Sequence, residues 1–125
     1  MEIFKKAIYS LSGMGKTVLG GVEEVVVKGK DSKKTVPARI DTGARFCSID
    51  ERLAEELGLG PMHREKKIRS ANGKSIRPVI KVDFVLKGKE LNAEFTVADR
   101  GHMNYQIIIG RNVLVDGFVV DLDIK

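Results

Sequence analysis

The segment Arg39-Ile40-Asp41-Thr42-Gly43-Ala44 ends an apolar, strand-like run on an acid and follows it with Thr-Gly-Ala. In a tight loop of that composition, the Thr hydroxyl and the Gly amide can hydrogen-bond around the carboxylate and hold it as a proton donor or acceptor. Taken alone, the same tetrapeptide also reads as an ordinary Asx turn closing a strand. Gly15-Lys16-Thr17 has the tail of a phosphate-cradling loop. However, Ser10 stands where such a loop needs its first glycine, and Val18-Leu19-Gly20-Gly21 follows as a strand rather than a helix. The helix N-terminus that would bind phosphate through free N–H groups is therefore missing from the pattern. Thiolate and imidazole donors are limited to Cys47, His63 and His102, none at metal-ligand spacing from another. Cys47, close to Phe46 and Ile49, reads as a small buried hydrophobe. Spacing alone leaves open a Cys47 nucleophile served by a distant histidine.

The elements that must position these residues are mostly strands. Val18 to Lys28 reads as one strand and Thr35 to Ile40 as another, joined by the polar turn Gly29 to Lys34. Pro37 argues for an edge position or a strand start. Ser48 to Leu57 is the clearest helix, with Ser48 and Glu51 as a capping box, Asp50 as a competing N-cap and Gly58 as its terminator. Asn72-Gly73 predicts a hairpin within Lys67 to Lys81. Val82 to Leu86 and Leu91 to Val97 predict a second one around Lys87-Gly88-Lys89. Gln106 to Ile109 is a short apolar strand ending at Gly110, and Asn112 to Val115 a helical turn. Phe118 to Ile124 alternates, with Phe118, Val120, Leu122 and Ile124 on one face. In the first sixteen residues, Ile3, Phe4, Ala7, Ile8 and Leu11 fit either a helical face or an edge strand. Strands recurring at this spacing predict a small closed or sandwiched β-domain.

The chain has 125 residues, 42% hydrophobic and 31% charged, which is one domain's worth of ordinary globular composition. A chain of this length buries roughly two-thirds of its unfolded surface and needs no disulfide staples. One cysteine, no membrane-length apolar run and no secretory pattern at the N-terminus make the cytoplasm the expected compartment. The net charge of +5 favours acidic partners. With no Trp, and with five Phe and two Tyr not interleaved with basic residues, a nucleic-acid platform is not indicated.

The Asp41 loop is followed in order by Ser48-Ile49, then Leu53-Ala54 and Leu57-Gly58-Leu59, then Ser70-Ala71-Asn72-Gly73, and finally Ile107-Ile108-Ile109-Gly110-Arg111-Asn112 with Leu114. This ordered set resembles the retropepsin-like aspartic proteases over roughly residues 18–125. Leu19-Gly20, Ala38-Arg39, Arg77-Pro78, Asp99-Arg100 with Met103 and Tyr105, and Phe118 with Val120-Asp121 look like one prokaryotic branch of that group. Its members usually carry the label "ATP-dependent zinc protease" and are often linked to ATP-grasp glutamate ligases. The chain has neither the phosphate loop nor the zinc cluster which that label calls for, so no cofactor and no metal are expected.

The resemblance implies a single retropepsin-like domain: a mostly β, small closed acid-protease barrel with one or two short helices and a flap hairpin. Residues 17–125 would form its core and 1–16 an N-terminal extension. It implies Asp41 as the catalytic acid, with Thr42 and Gly43 shaping its loop. Ile108, Ile109 and Gly110, with Arg111, would support that loop from behind. Ala44, Arg45, Arg69, Ala71, Asn72, Gly73, Lys74 and Arg77 would contact substrate from the loop and the flap. Viral members carry an acid just after the Asp-Thr-Gly-Ala run that pairs with the Arg of Gly-Arg-Asn. Here Arg45 takes that position, so Arg111 needs a different partner.

Aspartic protease chemistry needs two carboxylates sharing one proton, and this chain carries the motif once. The expected enzyme is therefore a homodimeric aspartic endopeptidase, with Asp41 from each subunit activating water at the two-fold axis. Its substrate would be a peptide or protein, in keeping with seven basic residues against one acid between Arg64 and Lys81 and thus with acidic or glutamate-rich tails. The alternative is a non-catalytic dimeric binding domain that regulates a partner such as a glutamate ligase.

Overall fold

The computed structural model describes residues 15–71 and 73–124. The apolar residues between Ile3 and Leu11, along with Asn72 and Lys125, lie outside the described residues. Among the described residues, nine strands and two short helices follow in chain order. These are β1 (Thr17–Leu19), β2 (Val22–Lys28), β3 (Lys33–Ile40), β4 (Cys47–Asp50), α1 (Glu51–Glu56), β5 (Arg64–Ser70), β6 (Gly73–Leu86), β7 (Lys89–Ala98), β8 (Ile107–Ile109), α2 (Arg111–Leu114) and β9 (Phe118–Val120).

Strands β2, β3, β8, β4, β7 and β6 are hydrogen-bonded in that order, and β6 pairs back onto β2, which closes the barrel. Closure removes the free sheet edges along the paired stretches. Alternation explains the interior. Val25 and Val27 of β2, Val36, Ala38 and Ile40 of β3, and Ile80, Val82, Phe84 and Leu86 of β6 all point inward and are buried. Phe84 and Phe95 meet edge-to-face at the centre, with ring centroids 5.3 Å apart. This is the small mostly β barrel that the resemblance implied, with two short helices among the described residues where one or two were expected.

Strand β6 is long enough to serve two structures. Its second half builds the barrel with β7 and β2, and its first half forms a hairpin with β5, in register from Arg64 opposite Val79 to Ser70 opposite Gly73. The two predicted hairpins thus share one strand. The β6–β7 turn places Lys87 and Gly88 at φ 52° and 78°, the twist that a two-residue hairpin requires.

Three of the strand expectations change in detail. The strand drawn from Val18 to Lys28 breaks at Gly20-Gly21, where Glu23 accepts a 2.7 Å hydrogen bond from the Gly20 amide. The first part then pairs in parallel with β9 as a separate two-stranded ribbon. The last strand stops at Val120, because Asp121 accepts from the Asp123 amide and turns the chain, leaving Leu122 78% exposed. Pro37 lies inside β3, but at a level that β8, paired only with residues 38–40, does not reach.

The helix starts at Glu51 rather than Ser48, since Ser48 and Ile49 belong to β4 and Asp50 is the cap. The Asp50 carboxylate is 1% exposed and accepts from the Arg52 amide and guanidinium and, at 2.7 Å, from the Arg100 amide. Burial pushes this carboxyl up, but the Arg100 amide and the Arg52 side chain outweigh it and hold the group below its ordinary value. A carboxyl depressed in the fold adds stability above its unfolded value and loses it as pH falls. Acid is therefore expected to weaken the fold from about pH 4 downward. Asp50→Asn is expected to cost about 1–3 kcal/mol at neutral pH and to flatten that acid limb, read by urea unfolding across a pH series.

Candidate active site

Strand β8 lies between β3, to which it runs parallel, and β4, to which it runs antiparallel. Residues 41–46 join β3 to β4 and must therefore arch over the end of β8. That topology carries Asp41 to the barrel mouth. The Asp41 amide donates to Ile109 O at 2.9 Å, continuing the β3–β8 ladder by one residue. The Gly43 amide then donates to Asp41 Oδ1 at 3.0 Å, and the Ala44 amide to Asp41 O at 3.1 Å. One carboxylate oxygen is thus held by the loop, and Oδ2 has no hydrogen bond among the described residues. Asp41 is half-buried. The expected glycine contact is present; Thr42 is exposed, and its hydroxyl makes no bond to the carboxylate.

The Gly110-Arg111-Asn112 segment clamps this loop from behind. The Arg111 amide donates to Ala44 O at 2.8 Å and the Asn112 amide to Arg45 O at 3.2 Å. Asn112 Oδ1 accepts from the Cys47 amide at 2.9 Å, while its Nδ2 donates to Glu94 O. Arg111 Nη1 reaches the Thr42 carbonyl at 3.1 Å, which supplies the partner that Arg45 could not. Gly110 lies directly under the arch: a Cβ there would sit 2.6 Å from the Phe46 carbonyl carbon and 2.9 Å from Ala44 O.

Beneath the loop, Cys47 is fully buried, and its sulfur accepts the Gly110 amide at 3.3 Å. Burial pushes the thiol up to about 12. It is a packing residue, which closes the question of a cysteine nucleophile. His63 and His102 sit on exposed segments. Among the described residues, no group of three or more His, Cys, Asp or Glu side chains is placed to hold a metal ion. Gly15 and Lys16 lead into β1 with no helix after them, and Ser10, at the other end of that pattern, lies outside the described residues.

A cleft of about 500 Å³ opens beside the Asp41 loop. Gly43, Ala44, Arg45 and Phe46 form one wall, and Lys66, Lys67, Ile68, Arg69 and Arg77 of the β5–β6 hairpin face them. Ser48, Thr96, Ile108 and Arg100 complete the lining. Every charged residue in that lining is basic. The Phe46 ring receives the Lys66 ammonium at 4.4 Å and the Arg64 guanidinium at 6.0 Å, which ties the hairpin arm to the loop. Of the expected substrate contacts, Ala44, Arg45, Arg69 and Arg77 line the cleft, while Ala71, Gly73 and Lys74 are exposed around the hairpin tip and do not.

Arg100 is half-buried and donates through Nε to Tyr105 O at 2.9 Å. Burial and the nearby Arg77 charge push its guanidinium down from the ordinary value, opposed by Asp50 and Asp41. It remains charged, as arginine does in proteins. Sequence reasoning did not single out Arg100, Ser48 or Thr96 as cleft residues. Ser48 is paired with Ile108 on one side and with Thr96 on the other, so the three form one row across β8, β4 and β7. Only the strand order reveals that row.

The family model described as "Retropepsin-like aspartic endopeptidase RimB" matches residues 50–124. The chain belongs to the RimB-like family. The matched span contains the clamp, the hairpin and Arg100, and begins after the Asp41 loop. Solved structures similar to this RimB-like chain share the fold. The EIAV protease complexed with the inhibitor HBY-793 superposes with a TM-score of 0.66 at 21% identity, covering 83% of this chain and 94% of that one. A Legionella pneumophila protein of unknown function gives 0.63 at 18% identity, covering 87% and 95%. The simian foamy virus (mac) protease gives 0.55 at 19% identity, covering 75% and 91%. No curated protein matches the sequence.

Proposed function

We propose that the protein is a homodimeric aspartic endopeptidase in which Asp41 from each of two subunits activates water for peptide-bond hydrolysis. The observation that carries this reading is the Asp41 loop itself. One carboxylate oxygen is held by the Gly43 amide, the loop is clamped by Arg111 and Asn112, and a cleft lies alongside. In a dyad, one carboxylate takes a proton from water while the other, protonated, donates to the substrate carbonyl oxygen. One chain supplies one such group, so a second copy must supply the other. The β1–β9 ribbon is the surface we assign to that contact: Val18 and Val119, direct partners across it, are 40% and 36% exposed. The protein is expected to sediment as a dimer at micromolar concentration. A strict monomer across that range removes the mechanism.

The basic cleft favours acidic peptides as substrate. Each exposed charge pair contributes little, but several acting together raise the association rate and make it salt-sensitive. Enzymes that add glutamates to protein tails are the class that would make such a substrate, and we place this reaction alongside theirs in the cytoplasm. Among the described residues, no helix is long and apolar enough to cross a membrane.

The test is to incubate the protein with glutamate-rich and neutral peptides at low and high salt and to identify new termini by mass spectrometry. Cleavage of the acidic set, weakening as salt rises and reversed by Arg69→Glu with Arg77→Glu, is the expected outcome. Binding without cleavage by the wild-type dimer would instead mark a non-catalytic regulatory domain.

A further inference from the structure

Ser48 is 6% exposed, lines the cleft, and its Oγ is a fully buried polar atom with no hydrogen-bond partner. Its neighbours in the row do not share that state. Thr96 Oγ1 donates to Cys47 O at 3.3 Å, and Ile108 has nothing to offer. A buried hydroxyl left unpaired costs free energy, and such groups in a well-packed barrel call for a reason. The surroundings supply one. Arg77 enters the same cleft from the hairpin and Arg100 from the segment after β7. Arg100 has only its Nε committed, to Tyr105 O, so its Nη groups keep their donors among the described residues. Two guanidinium groups and a hydroxyl donor converging on one cleft match an acceptor with two oxygens and a negative charge.

We infer that Ser48, Arg77 and Arg100 form a carboxylate-binding subsite, with the Ser48 hydroxyl donating to one oxygen at its floor, that determines specificity for acidic substrate. This rests on the acidic-peptide reading above and adds to it the residues that would discriminate. Lysines on the hairpin attract any anion at a distance; the buried hydroxyl requires a carboxylate seated at contact. A site built to hydrogen-bond its ligand rejects the analogue lacking the matching group far better than long-range attraction does. The carboxylate can belong to a glutamyl side chain or to a chain terminus.

The experiment measures binding, not turnover, using the Asp41→Asn protein and labelled peptides followed by fluorescence anisotropy. One pair of amidated peptides differs by Glu against Gln at a single position. A second, neutral pair differs by a free against an amidated C-terminus. Wild-type Ser48 is expected to prefer the carboxylate member of at least one pair, the pair naming the source. Ser48→Ala is expected to lower binding of that member about tenfold while leaving the uncharged member unchanged. Its thermal midpoint should not fall, because the substitution removes an unpaired buried hydroxyl. Arg77→Gln, on the half-exposed hairpin arm, should erode the same preference and covers the case in which the Ser48 variant does not fold. If the preference survives both substitutions, the subsite is wrong and the acidic-peptide reading stands. If neither pair shows a preference with Ser48 in place, that reading fails and the subsite with it.

Discussion

Asp41→Asn is expected to abolish peptide-bond hydrolysis, lowering kcat by about 10⁴-fold or more, the scale on which loss of an essential catalytic group registers. Asparagine keeps the shape of aspartate, and its Oδ1 can still accept the Gly43 amide, so the loop and the fold should persist. The loss then isolates the proton chemistry, because an amide can neither take a proton from water nor share one with a partner carboxylate. Mixing subunits sharpens the result. In an equal mixture of wild-type and Asp41→Asn chains, about one quarter of dimers carry two aspartates. Activity should fall to that fraction if the two carboxylates act together, but only to about one half if each subunit works alone.

Gly110→Ala is expected to be strongly destabilising, costing about 3 kcal/mol. The added Cβ would meet the backbone of Phe46 and Ala44 well inside contact distance, and backbone, unlike the end of a flexible side chain, has no rotamer in which to retreat. Relief requires the Asp41 arch to lift off β8. That would loosen the Arg111 bond to Ala44 O and the Gly110 bond to the Cys47 sulfur. The urea midpoint should therefore drop, and at temperatures where the variant remains folded its activity should drop further than stability alone explains. A variant as stable and as active as wild type would show that the arch is not seated where the structure puts it.

The local pattern carried much of this architecture. Alternation locates the barrel strands, Gly58 closes the helix at φ 65°, and the Asp41 and Gly110 motifs mark the two sides of the arch. What local pattern could not carry was pairing between distant segments. Glu51, three residues on, makes Ser48 a helix cap by local pattern, but β8 and β7 flank β4 and recruit Ser48 into the sheet. Tertiary hydrogen bonding overrode a sound local signal, and Asp50, the competing cap, took the helix instead. The cleft row of Ile108, Ser48 and Thr96 comes from three separate segments, so no spacing rule encloses it. Arg111 shows the same limit. Its position opposite Arg45 announced a missing partner, but only the folded loop presents the Thr42 carbonyl.

Whether two copies of the chain bring their Asp41 side chains together is measured directly by the separation of those carboxylates in a crystal structure of the dimer. One Asp41 from each subunit is expected across a two-fold axis, with oxygens roughly 3 Å apart and a shared proton between them. Carboxylates held farther apart than a single bridging water can span, or a dimer whose axis lies away from the Asp41 loop, would contradict the two-carboxylate mechanism.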